Sequence, residues 1–348
     1  MIKVFNNTQE YNTYTSNGLI SGDLYYVKDD GSVHFRTNNI DEQDTVYNYK
    51  TNVYAKKYLT FEALEDGTFS LSNDVNYSID NGSTWVELTK NTQSPTIKAG
   101  NTILWKGNIV PGGGGVGKFT STCKFNVYGN IMSLLYGDNF DGKDEITYSA
   151  CFLGLFAQSK IVYAHNLVLP AKKLTQVCYY TMFNNCASMV TAPELPATEL
   201  AQNCYSNMFQ KCTSLVKAPS VLPATELVGN CYFSMFSNCG KLVIAPEISA
   251  TTLAAASCNQ MFAGCTSLVK APDLLALTLT PNCYNQMFKG CTNLSYIKML
   301  ATDVSASQCL MNWVNGVSAS GYFIKNADAT WNVTGNSGVP SSWTINNK

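Results

Sequence analysis

Arginine is almost missing from this chain: Arg36 is the only one in 348 residues. With a net charge of −1 there is no cation stripe to neutralise phosphates and no set of guanidinium forks to read guanine, so nucleic acid is not an expected partner. Histidine is nearly as scarce, His34 and His165 alone, which removes His-rich metal sites and most nucleophile–histidine–acid triads. Charged residues reach 14%, against roughly 25% in an average soluble domain. The surface must therefore be hydroxyl, amide and aromatic, with 20 tyrosines among its material. No apolar run approaches the roughly 18 residues of a membrane span, and MIKVFNNTQEY has no basic stretch leading into an apolar segment. Neither membrane insertion nor an ordinary signal peptide is expected. No Cys-x-x-Cys pair occurs, which takes away the commonest zinc spacing.

What is present is ample apolar content, 45%, and 13 cysteines in register. The phrase Cys-x-x-x-Met-Phe-x-x-Cys occurs at Cys178/Met182/Phe183/Cys186, Cys204/Met208/Phe209/Cys212, Cys231/Met235/Phe236/Cys239 and Cys283/Met287/Phe288/Cys291. Ser257/Met261/Phe262/Cys265 is the same unit with serine in the first column. An imperfect copy precedes them at Cys151, Leu155, Phe156 and Ser159, and a degenerate one follows at Cys309, Trp313 and Val314. Behind the phrases come ASMVT, TSLVK, GKLVI and TSLVK, each followed by Ala-Pro, and then Pro-Ala-Thr-x-Leu, clear at Pro196–Leu200 and Pro223–Leu227.

A fixed period of 26–27 residues, with one strand-like apolar run and one short helix-compatible run, is the arithmetic of a leucine-rich-repeat solenoid of about seven units. No unit can bury its apolar side alone. Stacking turns identical residues into ladders, so Met182, Phe183, Cys186, Met208, Phe209, Cys212, Met235, Phe236, Cys239, Met261, Phe262, Cys265, Met287, Phe288 and Cys291 are the expected core. Cysteine suits such a column as a small hydrophobe. The odd cysteine total and the substitution by Ser257 argue against a disulfide framework, and core packing is the expected role of the thiols.

Three other patterns invite chemistry. Gly112–Phe119, GGGGVGKF, nearly fits a phosphate-binding loop, but Phe119 stands where Ser or Thr would hold magnesium, and the following KFTSTCKFNV alternates like a strand. It is expected to be a glycine linker. Ser78–Trp85, SIDNGSTW, matches the Asp-box turn of many β proteins: Asp80 accepts backbone N–H groups, Gly82 takes positive φ and Trp85 packs beneath. Asp138, Asp141, Asp144 and Glu145 are the densest acids, read as a solvated turn and not as a glycosidase pair.

The expected organisation is mainly β with short helices. Residues 1–56 form a β-rich module whose DLYYVKDDGSVHFRT is a hairpin about Asp30-Gly31. Residues 57–111 are β-sandwich-like (Ig-like), 112–118 the linker, 119–150 an N-terminal cap, 151–317 the repeats and 318–348 a β-rich C-terminal cap, since a solenoid's ends need covering.

The phrase CYxxMFxxCTSLxxAPxLPAT resembles the BspA-like leucine-rich repeats of Bacteroidales surface proteins and of the phages that infect them (crAss-like or related). Phe125–Phe140, FNVYGNIMSLLYGDNF, and the tail MLATDVSASQCLMNWVNGV are similar to the same group, and DLYYVKDDGSVHFRT is more weakly similar to modules that open phage structural proteins. The resemblance implies a non-enzymatic virion surface protein, a tail fibre, spike or capsid-associated chain, without cofactor or metal. It further implies attachment to other virion proteins through the N-terminal region and contact of the solenoid with host glycan or protein. The oligomeric state stays open: virion fibres and spikes are often trimers, which makes a homo-oligomer an option by analogy, but no heptad pattern enforces three strands here. The alternatives are a bacterial cell-surface adhesin, a glycan depolymerase and a purely structural virion decoration. On any binding reading the column that varies between units is the candidate stripe: Thr191, Lys217, Ile244, Lys270 and Tyr296. Tyr322, Trp331 and Trp343 are candidate sugar-stacking rings.

Overall fold

The computed structural model describes residues 54–331 and 333–347, together with the backbone of four strands within residues 1–53. The chain divides into two compact units, Met1–Val53 and Tyr54–Lys348. In the first, β1 (Ile2–Phe5), β2 (Leu24–Val27), β3 (Val33–Phe35) and β4 (Thr45–Val46) form one sheet in sequence order. β1 and β2 are parallel, while β2 and β3 pair antiparallel with Tyr25 opposite His34. Alternation in the sequence predicts that β2–β3 pairing. Its turn at Asp30-Gly31, and Arg36, lie outside the described residues.

The second unit is mainly β. β5 (Leu59–Ala63), β6 (Phe69–Leu71), β7 (Val75–Ser78), β8 (Val86–Leu88), β9 (Thr102–Lys106), β10 (Phe119–Ser121) and β11 (Phe125–Asn130) lead to β12 (Asn166–Val168), inside the first repeat. Six of these share a sheet ordered β12-β11-β5-β9-β7-β8, and β6 pairs with β10. Alternating apolar residues bury one row of rings: Phe61 meets Phe69, Phe119 and Phe125 at centroid distances of 5.4, 4.8 and 4.9 Å. One sheet thus spans segments that composition separates into a sandwich-like domain, a cap and a repeat. Its β11–β12 pairing is parallel, so the backbone edge of the first solenoid turn is occupied. Between them Ser133–Tyr136 is α1, a single helical turn and the only α-helix among the described residues.

From there the chain winds into a β-solenoid of about five turns. Short parallel pairings mark two corners of each turn, and β13 (Val221–Leu222), β14 (Glu247–Ile248), β15 (Tyr296–Met299), β16 (Tyr322–Lys325) and β17 (Thr344–Asn347) lie among them. All fifteen expected Met, Phe and Cys core positions are fully buried. Phe156, Phe183, Phe209, Phe236, Phe262 and Phe288 stack ring on ring at 5.4–5.8 Å. Tyr179, Tyr205 and Tyr232 form a second stack, which ends where Cys258 takes the tyrosine position.

The expected short helices in the repeats are not there. Each Cys-x-x-x-Met-Phe-x-x-Cys segment is a run of linked tight turns with a left-handed residue at every fourth place, such as Asn203, Asn207 and Lys211 at φ 56°, 56° and 62°. Ser206, Met208, Gln210 and Cys212 donate their N–H groups three residues back. The alternate donors Asn203, Tyr205, Asn207, Phe209 and Lys211 instead reach carbonyls of the next turn, at Gly229, Cys231, Phe233, Met235 and Ser237. Left-handed residues at this spacing forbid a continuous α-helix, and half of the backbone donors are thereby released to join neighbouring turns.

Residues beyond 318 do not simply close the end. β16 and β17 extend the parallel ladder from β15, while the buried rings of Trp313, Phe323, Trp331 and Trp343 cover the last core layer. No helix among the described residues is long and apolar enough to cross a membrane.

Candidate functional site

Thr191, Lys217, Ile244, Lys270 and Tyr296 fall on one ladder. Successive one-residue parallel pairings join Tyr163 to Thr191, then Lys217, Ile244, Lys270 and Tyr296. The strand register carries the same column on to Tyr322 and Thr344. Neighbours on such a ladder are about 4.8 Å apart. Tyr163, Tyr322 and Thr344 are additions to the column. Tyr322 was visible in the sequence at one repeat length beyond Tyr296, but there it reads as part of a cap.

Members of the column differ in what they offer. Thr191 is 3% exposed and its Oγ1 lies 3.1 Å from Nδ1 of buried His165, so it supports the ladder and presents nothing to a ligand. Burial and, secondarily, the charge of Lys217 push the His165 imidazole down to about 3, which keeps it neutral. Lys217 is half-buried and Ile244 is 40% exposed. Lys270 is exposed, with Nζ 5.2 Å from the Tyr296 ring centroid in a cation–π contact. Tyr322 is 57% exposed and Val269, beside the column, 48%.

The acids that flank the stripe are mostly engaged within the solenoid. Glu194 accepts from both the N–H and the hydroxyl of Ser220, at 2.8 and 2.7 Å, and Asp273 is ion-paired with Lys298. Glu247 on β14 is exposed.

The other candidate residues serve the fold. Trp331 and Trp343 are buried, their indole N–H groups donating to the carbonyls of Ala301 and Ser318 at 2.8 Å, so neither is a sugar platform. All thirteen cysteines are buried free thiols, and burial pushes Cys204 and Cys291 up to about 12, away from thiolate chemistry. Among the described residues no group of three His, Cys, Asp or Glu side chains is placed to hold a metal ion. Asp138 accepts from the Tyr58 hydroxyl at 2.7 Å and from Lys106 at 2.8 and 2.9 Å, and Asp141 pairs with Lys56 at 3.6 Å.

The glycine run makes a tight turn whose first three glycines, Gly112–Gly114, are exposed, and the chain packs from Gly115 on. Gly115 N–H donates to the Gly112 carbonyl, and at φ 71° a side chain on Gly115 would lie 2.5 Å from the Ala150 carbonyl oxygen. β10 begins at Phe119, and Lys118 donates to Gln158. The Asp-box turn forms as its residues suggest. Asp80 accepts from the Thr84 N–H at 2.9 Å and hydroxyl at 2.6 Å, Gly82 has φ 89°, and Trp85 lies directly below it.

The geometry therefore defines a β-solenoid with an outward ladder of side chains of mixed chemistry. No family model, curated protein or solved structure matches the chain.

Proposed function

We propose that this chain is a non-enzymatic virion surface protein of BspA-like leucine-rich-repeat type, which recognises the surface of a host bacterium through its solenoid. In this reading the sheet of residues 1–53 attaches to other virion proteins, and the chain resides on the particle surface. The supporting observation is the division of labour along the repeats. The Met, Phe and Cys columns are uniform and buried, while Lys217, Ile244, Lys270, Tyr296 and Tyr322 differ from rung to rung and face outward at fixed spacing. A uniform core with a varied outer column is how a stacked-repeat scaffold presents a binding surface.

Fluorescently labelled full chain, incubated with a panel of intact Bacteroidales cells, tests this. Saturable binding restricted to some strains is expected. Binding to none of them would remove the recognition role and leave only a structural one.

A further inference from the structure

The second ring stack of the solenoid core lacks one member. Phe152, Tyr179, Tyr205 and Tyr232 hold the same place in successive turns, and their rings stack at 5.7, 5.7 and 6.1 Å. One turn further the place belongs to Cys258, and one beyond that to Tyr284, both buried. Backbone bonds fix this register. The N–H of Tyr205 donates to the Cys231 carbonyl, that of Tyr232 to Ser257 and that of Cys258 to Cys283, at 3.1, 2.9 and 3.0 Å.

The turns do not close up around the smaller residue. The phenylalanine column crosses the same three turns, and Phe236, Phe262 and Phe288 keep steps of 5.5 and 5.8 Å there. Tyr232 and Tyr284 therefore stand two ring steps apart in a column where only a thiol side chain lies between them. The residues leading into Cys258 are Ala254, Ala255, Ala256 and Ser257, so this arc of the turn supplies no large side chain to replace the ring. Tyr232 leans out of the stack beside the gap: its plane is turned 22° from that of Tyr205, against 8° between Tyr205 and Tyr179.

The gap has a polar end. The Tyr232 hydroxyl is buried and makes no hydrogen bond among the described residues, a costly state for a polar group in a core. Burial first, and then the thiols of Cys231, Cys204 and Cys258, hold it well above the usual phenol range. Tyr284 is raised by burial and then by the Cys258 and Cys283 thiols, so both flanking tyrosines sense Cys258. Water could partner the hydroxyl, but it gains nothing from two facing ring surfaces. A flat aromatic molecule gains from both. Unlike a side chain tied to the backbone, it can also slide towards Tyr232 and give that hydroxyl a partner.

We propose that the gap at Cys258 is a buried binding site for a single-ring phenol, held between the rings of Tyr232 and Tyr284. The site lies in the core and is independent of the host-recognition reading.

The test uses the full chain and p-cresol, which is the tyrosine side chain without its backbone. Saturable uptake of one equivalent by calorimetry is expected, with a urea-unfolding midpoint that rises as p-cresol is added. Cyclohexanol keeps the hydroxyl but has no flat ring, and should bind at least about tenfold more weakly because stacking on two faces is lost. Cys258→Tyr restores the ring, and should be more stable than the parent and indifferent to p-cresol. Nuclear Overhauser contacts from p-cresol to the Tyr232 and Tyr284 rings, in parent chain with labelled tyrosines, decide the matter if that variant does not fold. Absence of saturable p-cresol binding, equal binding of cyclohexanol, unchanged binding by a folded Cys258→Tyr, or contacts to other tyrosines alone would overturn the proposal.

Discussion

The second cysteine of each unit donates its thiol hydrogen to a phenylalanine carbonyl one turn back: Cys186 to Phe156, Cys212 to Phe183, Cys239 to Phe209, Cys265 to Phe236 and Cys291 to Phe262, at 3.0–3.1 Å. Cysteine fills the volume of a small hydrophobe there and adds a second donor to a buried carbonyl that already accepts a backbone N–H from three residues on. Cys239→Val should therefore cost about 0.5–1.5 kcal/mol in urea unfolding, because it removes the second of two donors to the Phe209 carbonyl, which keeps the Cys212 N–H. Cys239→Ser should cost less, since serine keeps a donor and Ser159 already occupies the column in the first unit. His165 gives a pH test. An unfolded imidazole takes a proton near 6.5, whereas the folded one is pushed down to about 3. Stability linked to His165 is whole above about pH 6.5 and falls as pH drops from there towards about 3, because only the unfolded chain gains the proton. His165→Asn should flatten the part of that decline that urea unfolding between pH 4 and 8 reads. The column arithmetic makes the burial of the cysteines legible in the sequence. Thiol donation is not legible, because it depends on a backbone carbonyl in the turn before. Nor is the loss of Thr191 from the stripe, which follows from His165 lying against it.

The linked-turn segments explain why periodicity misled at the element scale. Buried residues at Cys204, Met208, Phe209 and Cys212 follow i, i+4, i+5, i+8, which is also the pattern of an amphipathic helix. A left-handed residue every fourth place produces the same burial in a different backbone. The distinguishing signal was the asparagine and glycine at those places: Asn203, Asn207, Asn230, Asn238, Asn282, Gly264, Gly290 and Gly316. Val177, at φ 51°, is a β-branched residue in this position and pays for it in strain. Val177→Asn should raise stability by about 1 kcal/mol, and Asn207→Val should lower it by about 1–2 kcal/mol, both measured by chemical denaturation. The β11–β12 pairing was hidden for a different reason. It joins a non-repeating strand to the first turn, so no period announces it.

At the scale of the whole molecule, each turn bonds chiefly to its neighbours, so the ladder should tolerate loss of a complete unit. Excision of residues 231–256, joining Asn230 to Ser257, should leave a folded chain with a cooperative melt by circular dichroism, whereas excision of half that segment should not. The repeat period and core columns were legible from spacing, but the number was not: about seven units were expected and the solenoid has about five turns, because the imperfect first and last copies match the phrase only in part. The last two rungs were not, because β16 and β17 keep the register but not the phrases. The central claim is that the Lys217–Tyr322 face is what meets the host. Lysine-acetylation footprinting of the full chain, free and bound to cells of a strain that binds it, tests this most directly. Protection of Lys217 and Lys270, with Lys172, Lys173, Lys211 and Lys289 as reactive as in free protein, is the expected result. Protection of those four while Lys217 and Lys270 stay reactive would contradict it.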